Sequence, residues 1–451
     1  MNHSNLSEGH VGKLLFKLAL PAIFAQIINV LYNMVDRMYI GHIENVGDIA
    51  LTGVGVTMPL IMAVSAFAAL VSMGGAPRAS IMMGRKQNDV AEKILGNSAT
   101  LLILIALTST LIISVFGYDL LLLFGASENT IVYAWDYMKI YAMGTICVQL
   151  TLGLNAFIST QGFASVSMRT TLIGAIMNII LDPIFIFVFD MGVSGAALAT
   201  ILSQAISCIW VLSFLCGKKT LLKLKIQNMK LNPTIFLPCI ALGLAPFIMQ
   251  FTESILSVSF NTSLLEYGGD IAVGAMTILS SVMQFSMLPL HGLTQGAQPI
   301  ISYNFGANDL NRVKHAFTYL LTSCLIYSTT LWAICMFMPQ AFINIFTSKT
   351  ELIEYSMIAL RIYMATSCLF GAQIACQQTF IALGNAKTSL FLALLRKVFL
   401  LIPLIYILPN FMANKDIAVF LAEPIADTIA VCTTVTLFLI SFKKILKASK
   451  N

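Results

Sequence analysis

Of the 451 residues, 58% are hydrophobic and only 10% are charged, against roughly 25% charged in a soluble domain; that balance excludes a soluble enzyme or scaffold. Apolar runs as long as the ~20 residues a bilayer core requires recur along the whole length and leave no stretch over for a soluble domain. The net charge of +6 does not point to nucleic acid, because the basic residues gather where the positive-inside rule places them.

Helices are expected near residues 12–38, 50–76, 90–117, 131–159, 167–189, 193–215, 235–265, 271–298, 312–338, 353–382, 388–408 and 414–442. This is an all-α integral membrane protein of twelve transmembrane helices. The first runs from Lys17 through Pro21 to Asp36 without a small-residue cleavage site, so it is expected to stay rather than be removed as a signal. Gln26, Asn29, Tyr32, Asn33 and Asp36 recur along it at spacings of three and four, on one helical face. That face is expected to line a cavity and contact substrate. Pro21 removes a backbone hydrogen bond one turn inside the start and offers a point of bending.

The fifth helix carries the sequence Asn178-Ile179-Ile180-Leu181-Asp182-Pro183. An aspartate within a membrane-length apolar segment is costly and by default functional. Asn178 and Asp182 share a face, and Pro183 strains the backbone one turn earlier, a second bending point. The sixth helix opens on the small-residue run 192–197, which permits close backbone approach, and reaches Thr200. Counted at ~1.5 Å per residue from the outer turns at Glu44 and Asp190, Asp36, Asp182 and Thr200 all lie roughly 10 to 12 Å inside the outer face.

Two carboxylates, an amide oxygen and a hydroxyl at one depth suit a proton or a sodium ion, the latter held by Asp36, Asn178, Asp182 and Thr200. If the carboxylates are close, repulsion and lost solvation leave the pair holding one proton near neutral pH. The plainer alternatives are a structural hydrogen bond between helices for Asp182 and an interfacial pairing with Arg37 for Asp36.

The second half of the chain repeats the first. Gly74-Gly75-Ala76-Pro77 returns as Gly296-Ala297-Gln298-Pro299, and one constant offset also pairs Gly84 with Gly306, Phe124 with Phe346, Lys139-Ile140-Tyr141 with Arg361-Ile362-Tyr363, and Gly162 with Gly384. Six helices per copy enter from the same face. The two six-helix bundles are therefore expected to be related by a pseudo-two-fold axis along the membrane normal, with the substrate path between them. The expected organisation is an N-terminal lobe (1–216), a lysine-rich cytoplasmic linker (217–233) and a C-terminal lobe (234–451). Such duplication suits an alternating-access carrier better than a channel or receptor.

With both termini on the cytoplasmic side of the plasma membrane, most of the 26 basic residues fall inside, among them Lys13, Arg85, Lys218, Lys225, Arg312, Lys387, Lys447 and Lys450, while Arg37, Lys349 and Lys415 fall outside. In the second half, Glu253 is a candidate for substrate or second-cation binding, and Gln284, Gln373 and Gln377 either line the same cavity or bridge helices. Lys139 and Arg361 read as structural, within snorkelling reach of the outer face. Glu423 and Asp427, one turn apart, are candidate partners for Arg396 or Lys397. The nine cysteines are scattered singly and read as small core residues. With no HExxH, no GxGD and no cysteine–histidine cluster, the chain is not expected to be an enzyme or to carry a cofactor beyond its coupling ion.

Three stretches, Val35-Asp36-Arg37-Met38-Tyr39-Ile40-Gly41, residues 296–306 and Gly384-Asn385-Ala386-Lys387-Thr388, together resemble motifs of the multidrug and toxin extrusion (MATE) family, and the resemblance covers nearly the whole chain. It implies two helical bundles around a central cavity and export of cationic, amphipathic compounds in exchange for protons or sodium. The set Asp36, Asn178, Asp182 and Thr200 is similar to the cation site of the DinF-like branch. Of the acids that the NorM-like branch places in helices seven and ten, only Glu253 has a match; Ala372 stands at the other position, so a second cation site of that kind is not implied. The alternative within the wider superfamily is a flippase for lipid-linked saccharides or other amphipathic lipid precursors, expected to show basic cavity residues where this candidate cavity is acidic. The expected partners are small cationic or amphipathic molecules and membrane lipid, with no nucleic acid, and the chain is expected to act as a monomer.

Overall fold

The computed structural model describes residues 5–44 and 46–448, apart from the side chains of residues 254 and 445–448; Lys450 and the Lys447 side chain, assigned above to the cytoplasmic side, lie outside the described residues. The first six long helices are α1 (Val11–Gly41), α2 (Gly47–Gly84), α3 (Asn88–Leu123), α4 (Ile131–Thr160), α5 (Ala164–Pro183) and α6 (Gly192–Leu215). They are followed by α7 (Pro233–Gly306), α8 (Leu310–Phe337), the short α9 (Pro339–Ile343), α10 (Thr350–Tyr363), α11 (Phe370–Ala382), α12 (Ala386–Leu394), α13 (Ile402–Ile407) and α14 (Lys415–Ala448).

At ~1.5 Å per residue the 74 residues of α7 would extend about 110 Å, several times a bilayer core. The helix breaks at Gly269, whose φ of 65° and ψ of −162° only glycine adopts readily, and the limbs 233–268 and 270–306 are two spans. Among the described residues ten helices are long and apolar enough to cross a membrane. Taking the limbs of α7 separately, and joining α10 across a 44° bend to residues Ser367–Ala382, gives the twelve expected spans.

The repeat is visible in the backbone. Lys86 and Asn308, in corresponding turns, share the left-handed conformation at φ 60° and 61°, and Gly162 and Gly384 do so at 88° and 77°. The fifth spans correspond too. In the first half, α5 passes at Pro183 into a π-helical turn, Ile184–Val188; in the second, α12 passes into a π-helical stretch, Leu395–Leu401, just before Pro403. Insertions of this kind concentrate at functional sites.

Helices α1 to α6 bury one apolar cluster around Leu95, Leu102, Phe157 and Phe214 and another around Ile40, Val54, Ile113 and Tyr137. The later helices bury their own around Phe260, Leu279, Leu360 and Phe420. The halves meet where Leu15, Leu18 and Ala19 of α1 pack on Leu290, Leu293 and Ala297 of the second α7 limb. Backbones touch there because glycine permits it: a Cβ on Gly84 would lie 2.0 Å from the Tyr303 carbonyl oxygen, and one on Gly306 would lie 2.0 Å from that of Ile81. These are reciprocal contacts of corresponding residues. Gly243 meets the Leu70 carbonyl and Gly292 the backbone of Ile23 in the same manner.

All these close approaches lie toward the end that carries the α2–α3 and α7–α8 turns. Toward the other end, Ile40 of α1 belongs to a cluster of first-half residues and Leu256, Phe260 and Leu264 of α7 to a cluster of second-half residues. The close glycine contacts between the halves thus gather toward the basic end.

Two further devices hold the basic end. Residues 217–232 are tied down on the first half: Gln161 Oε1 accepts from the Leu221 and Leu222 amides, each at 2.8 Å, Glu92 pairs with Lys225 at 2.6 Å, and Asn97 Oδ1 accepts from the Asn232 amide at 2.8 Å. The segment before α1 is bound to the second half. Asn304 Nδ2 donates to the Leu6 carbonyl at 3.0 Å, and Arg312 donates to the carbonyls of Gly9 at 2.9 Å and Glu8 at 3.1 Å.

Candidate functional site

Helix α1 delivers Asp36, 8% exposed, to the face of α5 that carries Asn178 and the fully buried Asp182. The side chains of Asp36 and Asp182 meet within hydrogen-bonding range, and Asn178 Nδ2 donates to Asp182 Oδ1 at 3.1 Å. The i, i+4 spacing makes that last contact a local consequence of helix geometry. The carboxyl pair needs the tertiary packing of α1 on α5.

Three acceptor atoms in this cluster, Asp36 Oδ1, Asn178 Oδ1 and Asp182 Oδ2, are buried with no hydrogen-bond partner. Leaving acceptors unsatisfied is costly, and two ionised carboxylates in contact more so. The arrangement is chemically complete only when a proton or a small cation sits between them. Two carboxylates and neutral oxygens suit a monovalent ion, and among the described residues no group of three His, Cys, Asp or Glu side chains offers a transition-metal site.

Thr200 is tied to the pair by way of a tyrosine: the Tyr137 side chain approaches that of Thr200, and Tyr137 and Tyr32 both lie in the electrostatic field of Asp36. Tyr137 stacks on Tyr141, ring centroids 6.2 Å apart. These two α4 tyrosines were not singled out by sequence. The one signal available was that Tyr141 belongs to the duplicated Lys-Ile-Tyr triplet, with Tyr137 one turn away on the same face.

The remaining candidates divide. On α1, Asn29 and Asn33 are exposed, with Asn33 Nδ2 donating to the Asn29 carbonyl at 2.6 Å, and Gln26 is half-buried. Pro21 is accommodated within one continuous helix, whereas Pro183 stands where α5 changes to π geometry. Gln284 is exposed on the second α7 limb. Gln373 and Gln377 are both buried on α11 and in contact with each other, and Gln377 Nε2 reaches the Met249 sulfur at 3.1 Å. Gln377 thereby bridges α11 to α7, whereas Gln373 Oε1 is buried without a partner.

Glu253 is bound to Lys397, and Arg396 pairs with Asp427 at 2.6 Å and Glu423 at 3.1 Å. Of the two repeat-related bases, Lys139 pairs with Asp136 at 2.5 Å and Arg361 donates to the Met336 carbonyl at 3.1 Å. The described cysteines are all free.

Known proteins share this fold. The model of the MatE family matches the chain twice, over residues 21–184 and 245–407. The chain is 24% identical over 433 residues to the multidrug export protein MepA of Staphylococcus haemolyticus, covering 96% of this chain and 94% of that protein. A crystal structure of MATE in a bent conformation superposes with a TM-score of 0.92 over 98% of both chains, at 20% identity. An outward-facing MATE-family multidrug resistance transporter does so with a TM-score of 0.90 over 99% of both, also at 20% identity. At that identity the structural matches speak for the fold.

Proposed function

We propose, from the premise that this chain belongs to the MatE family of membrane transporters and is not an enzyme, that it is a multidrug exporter which moves cationic, amphipathic compounds outward in exchange for protons or sodium by alternating access. The observation that carries the coupling is the contact of Asp36 with Asp182 beside three buried, partnerless acceptors. Such a pair binds one positive charge when the site faces that ion's higher concentration and gives it up when it faces the lower. An equilibrium that both ion and substrate bias is what alternating access needs.

In this reading residues 1–216 and 234–451 are the two lobes, the linker 217–233 is cytoplasmic with both termini, and Asp36, Asn178, Asp182 and Thr200 form the ion site. Asn29 and Asn33 face the substrate path. Pro183 and the π-helical turn behind it supply local give as the ion comes and goes. The relatives named as multidrug export proteins support the substrate class.

The test is transport in proteoliposomes with a pH gradient and a sodium gradient imposed separately, following a fluorescent organic cation. Movement driven by one of the two gradients is expected. Movement driven by neither counts against antiport, and activity toward a lipid-linked saccharide in place of the cation would favour a flippase.

A further inference from the structure

The same pair of spans that holds Asp36 and Asp182 in the first half, its first and fifth, holds a different pair in the second. There Glu253, on the first α7 limb, is bound by Lys397, which stands in the π-helical stretch Leu395–Leu401. The pair is lopsided: the Glu253 side chain is 59% exposed, that of Lys397 only 5%. Lys397 also donates to the Met249 carbonyl at 3.1 Å. Behind it lies a second layer of charge. Arg396 is clamped between Glu423 and Asp427, both buried, and Asp427 Oδ2 is buried without a partner. Lys397 lies within electrostatic reach of both carboxylates.

Three carboxylates, Glu253, Glu423 and Asp427, thus share two fixed cations, Arg396 and Lys397, and the only carboxylate open to solvent is the one Lys397 covers. A buried ammonium that loses its carboxylate partner costs several kcal/mol. Here the lysine has somewhere to go.

We propose that Lys397 is a tethered counter-cation that a cationic substrate displaces from Glu253, the freed ammonium turning inward to the unpartnered oxygen of Asp427. The exchange keeps both fixed cations on a carboxylate in either state: when the site is empty Lys397 pairs with Glu253 while Glu423 and Asp427 share Arg396, and when it is filled the substrate pairs with Glu253 and Lys397 supplies the positive charge that the two buried carboxylates lacked. Lys397 is then a specificity-determining residue. It sets a threshold that a weakly attracted amine cannot cross and a lipophilic cation, which also gains apolar contact, can. It also makes the second half independent of the coupling ion, because a lysine stands where the first half leaves room for one.

The inference rests on the reading of the chain as an exporter of organic cations. The experiment is equilibrium binding of tetraphenylphosphonium to the purified full-length protein, its Lys397→Met, Glu253→Gln and Asp427→Asn variants, and the Lys397→Met/Glu253→Gln double variant. Lys397→Met is expected to tighten binding roughly 10-fold and Glu253→Gln to weaken it by a similar factor, the size of a partly desolvated charge contact. The double variant should bind like Glu253→Gln, because the lysine acts only through that carboxylate. Asp427→Asn, at a carboxylate the bound cation does not pair with, should weaken binding several-fold by removing the lysine's second resting place, and this arm stands if Lys397→Met does not fold. Wild-type binding with Lys397→Met or Asp427→Asn within two-fold of it overturns the displacement. Absence of wild-type binding overturns the exporter reading itself, and this inference with it.

Discussion

Replacing Gly306 by alanine should unseal the basic end of the molecule. The added Cβ would lie 2.0 Å from the Ile81 carbonyl oxygen and 2.8 Å from its carbon, where ordinary contact begins at 3.4 Å. The neighbour is backbone on both sides, so no rotamer change relieves it. The second α7 limb and α2 must separate by roughly 1 to 1.5 Å, and overpacking of that kind costs about 1 to 3 kcal/mol. The cost falls only on the state in which the basic end is closed, so about 2 kcal/mol moves the equilibrium between closed and open by roughly 30-fold.

Cys239 reports the change. It is 2% exposed and its carbonyl oxygen packs against Gly74 in the same seam. A water-soluble maleimide, with labelled sites mapped by mass spectrometry, should modify Cys239 at least 10-fold faster in Gly306→Ala, and also in the reciprocal variant Gly84→Ala. Cys335, buried in the second half's own cluster, should stay unlabelled. Wild-type labelling of Cys239 in both variants would refute the argument that this glycine contact closes the seam; equal acceleration at Cys335 would mean general unfolding instead.

Two further outcomes follow from the same geometry. Arg312→Ala removes three hydrogen bonds between the segment before α1 and the second half, each worth about 1 to 2 kcal/mol net, and should raise Cys239 labelling in the wild-type glycine background by several-fold without lowering the thermal midpoint by more than a few degrees. Tyr137→Phe deletes the hydroxyl that links Thr200 to the carboxyl pair while keeping the ring; it should weaken ion-driven transport about 3- to 10-fold, with binding of the organic cation unchanged, read as half-maximal ion concentration against substrate affinity.

Much of this was legible in the sequence because a bilayer makes polarity conspicuous. An aspartate, an asparagine or a proline in an apolar run stands out, so Asp36, Asn178, Asp182 and Pro183 were found without a structure, and counting residues from the turns put the acids at one depth. The repeat marked Gly84, Gly296 and Gly306 as special, but repetition does not say what a glycine touches; only the fold shows that two of them are each other's counterparts across the seam. Tyr137 was hidden because a tyrosine in an apolar run reads as core until its hydroxyl is located.

Gln373 and Gln377 were left open by the sequence. A polar side chain in a span has two solutions, facing a cavity or finding buried partners, and sequence does not choose between them. The pairing of Glu253 with Lys397 joins residues 144 positions apart, and nothing local to either announces it. The charge pair of α14 was nearer to hand, since Glu423 and Asp427 at one-turn spacing needed only the arginine that packs against them.

The central claim is that Asp36 and Asp182 together carry the coupling ion. Its most direct test is efflux of a fluorescent organic cation from proteoliposomes under the gradient that drives the wild-type protein, compared with Asp36→Asn and Asp182→Asn proteins reconstituted at equal density. Each substitution removes one of the two charges and leaves the amide shape, so gradient-driven movement should fall to the level of empty liposomes in both while equilibrium binding of the cation persists. Full transport by the Asp182→Asn protein would contradict the account.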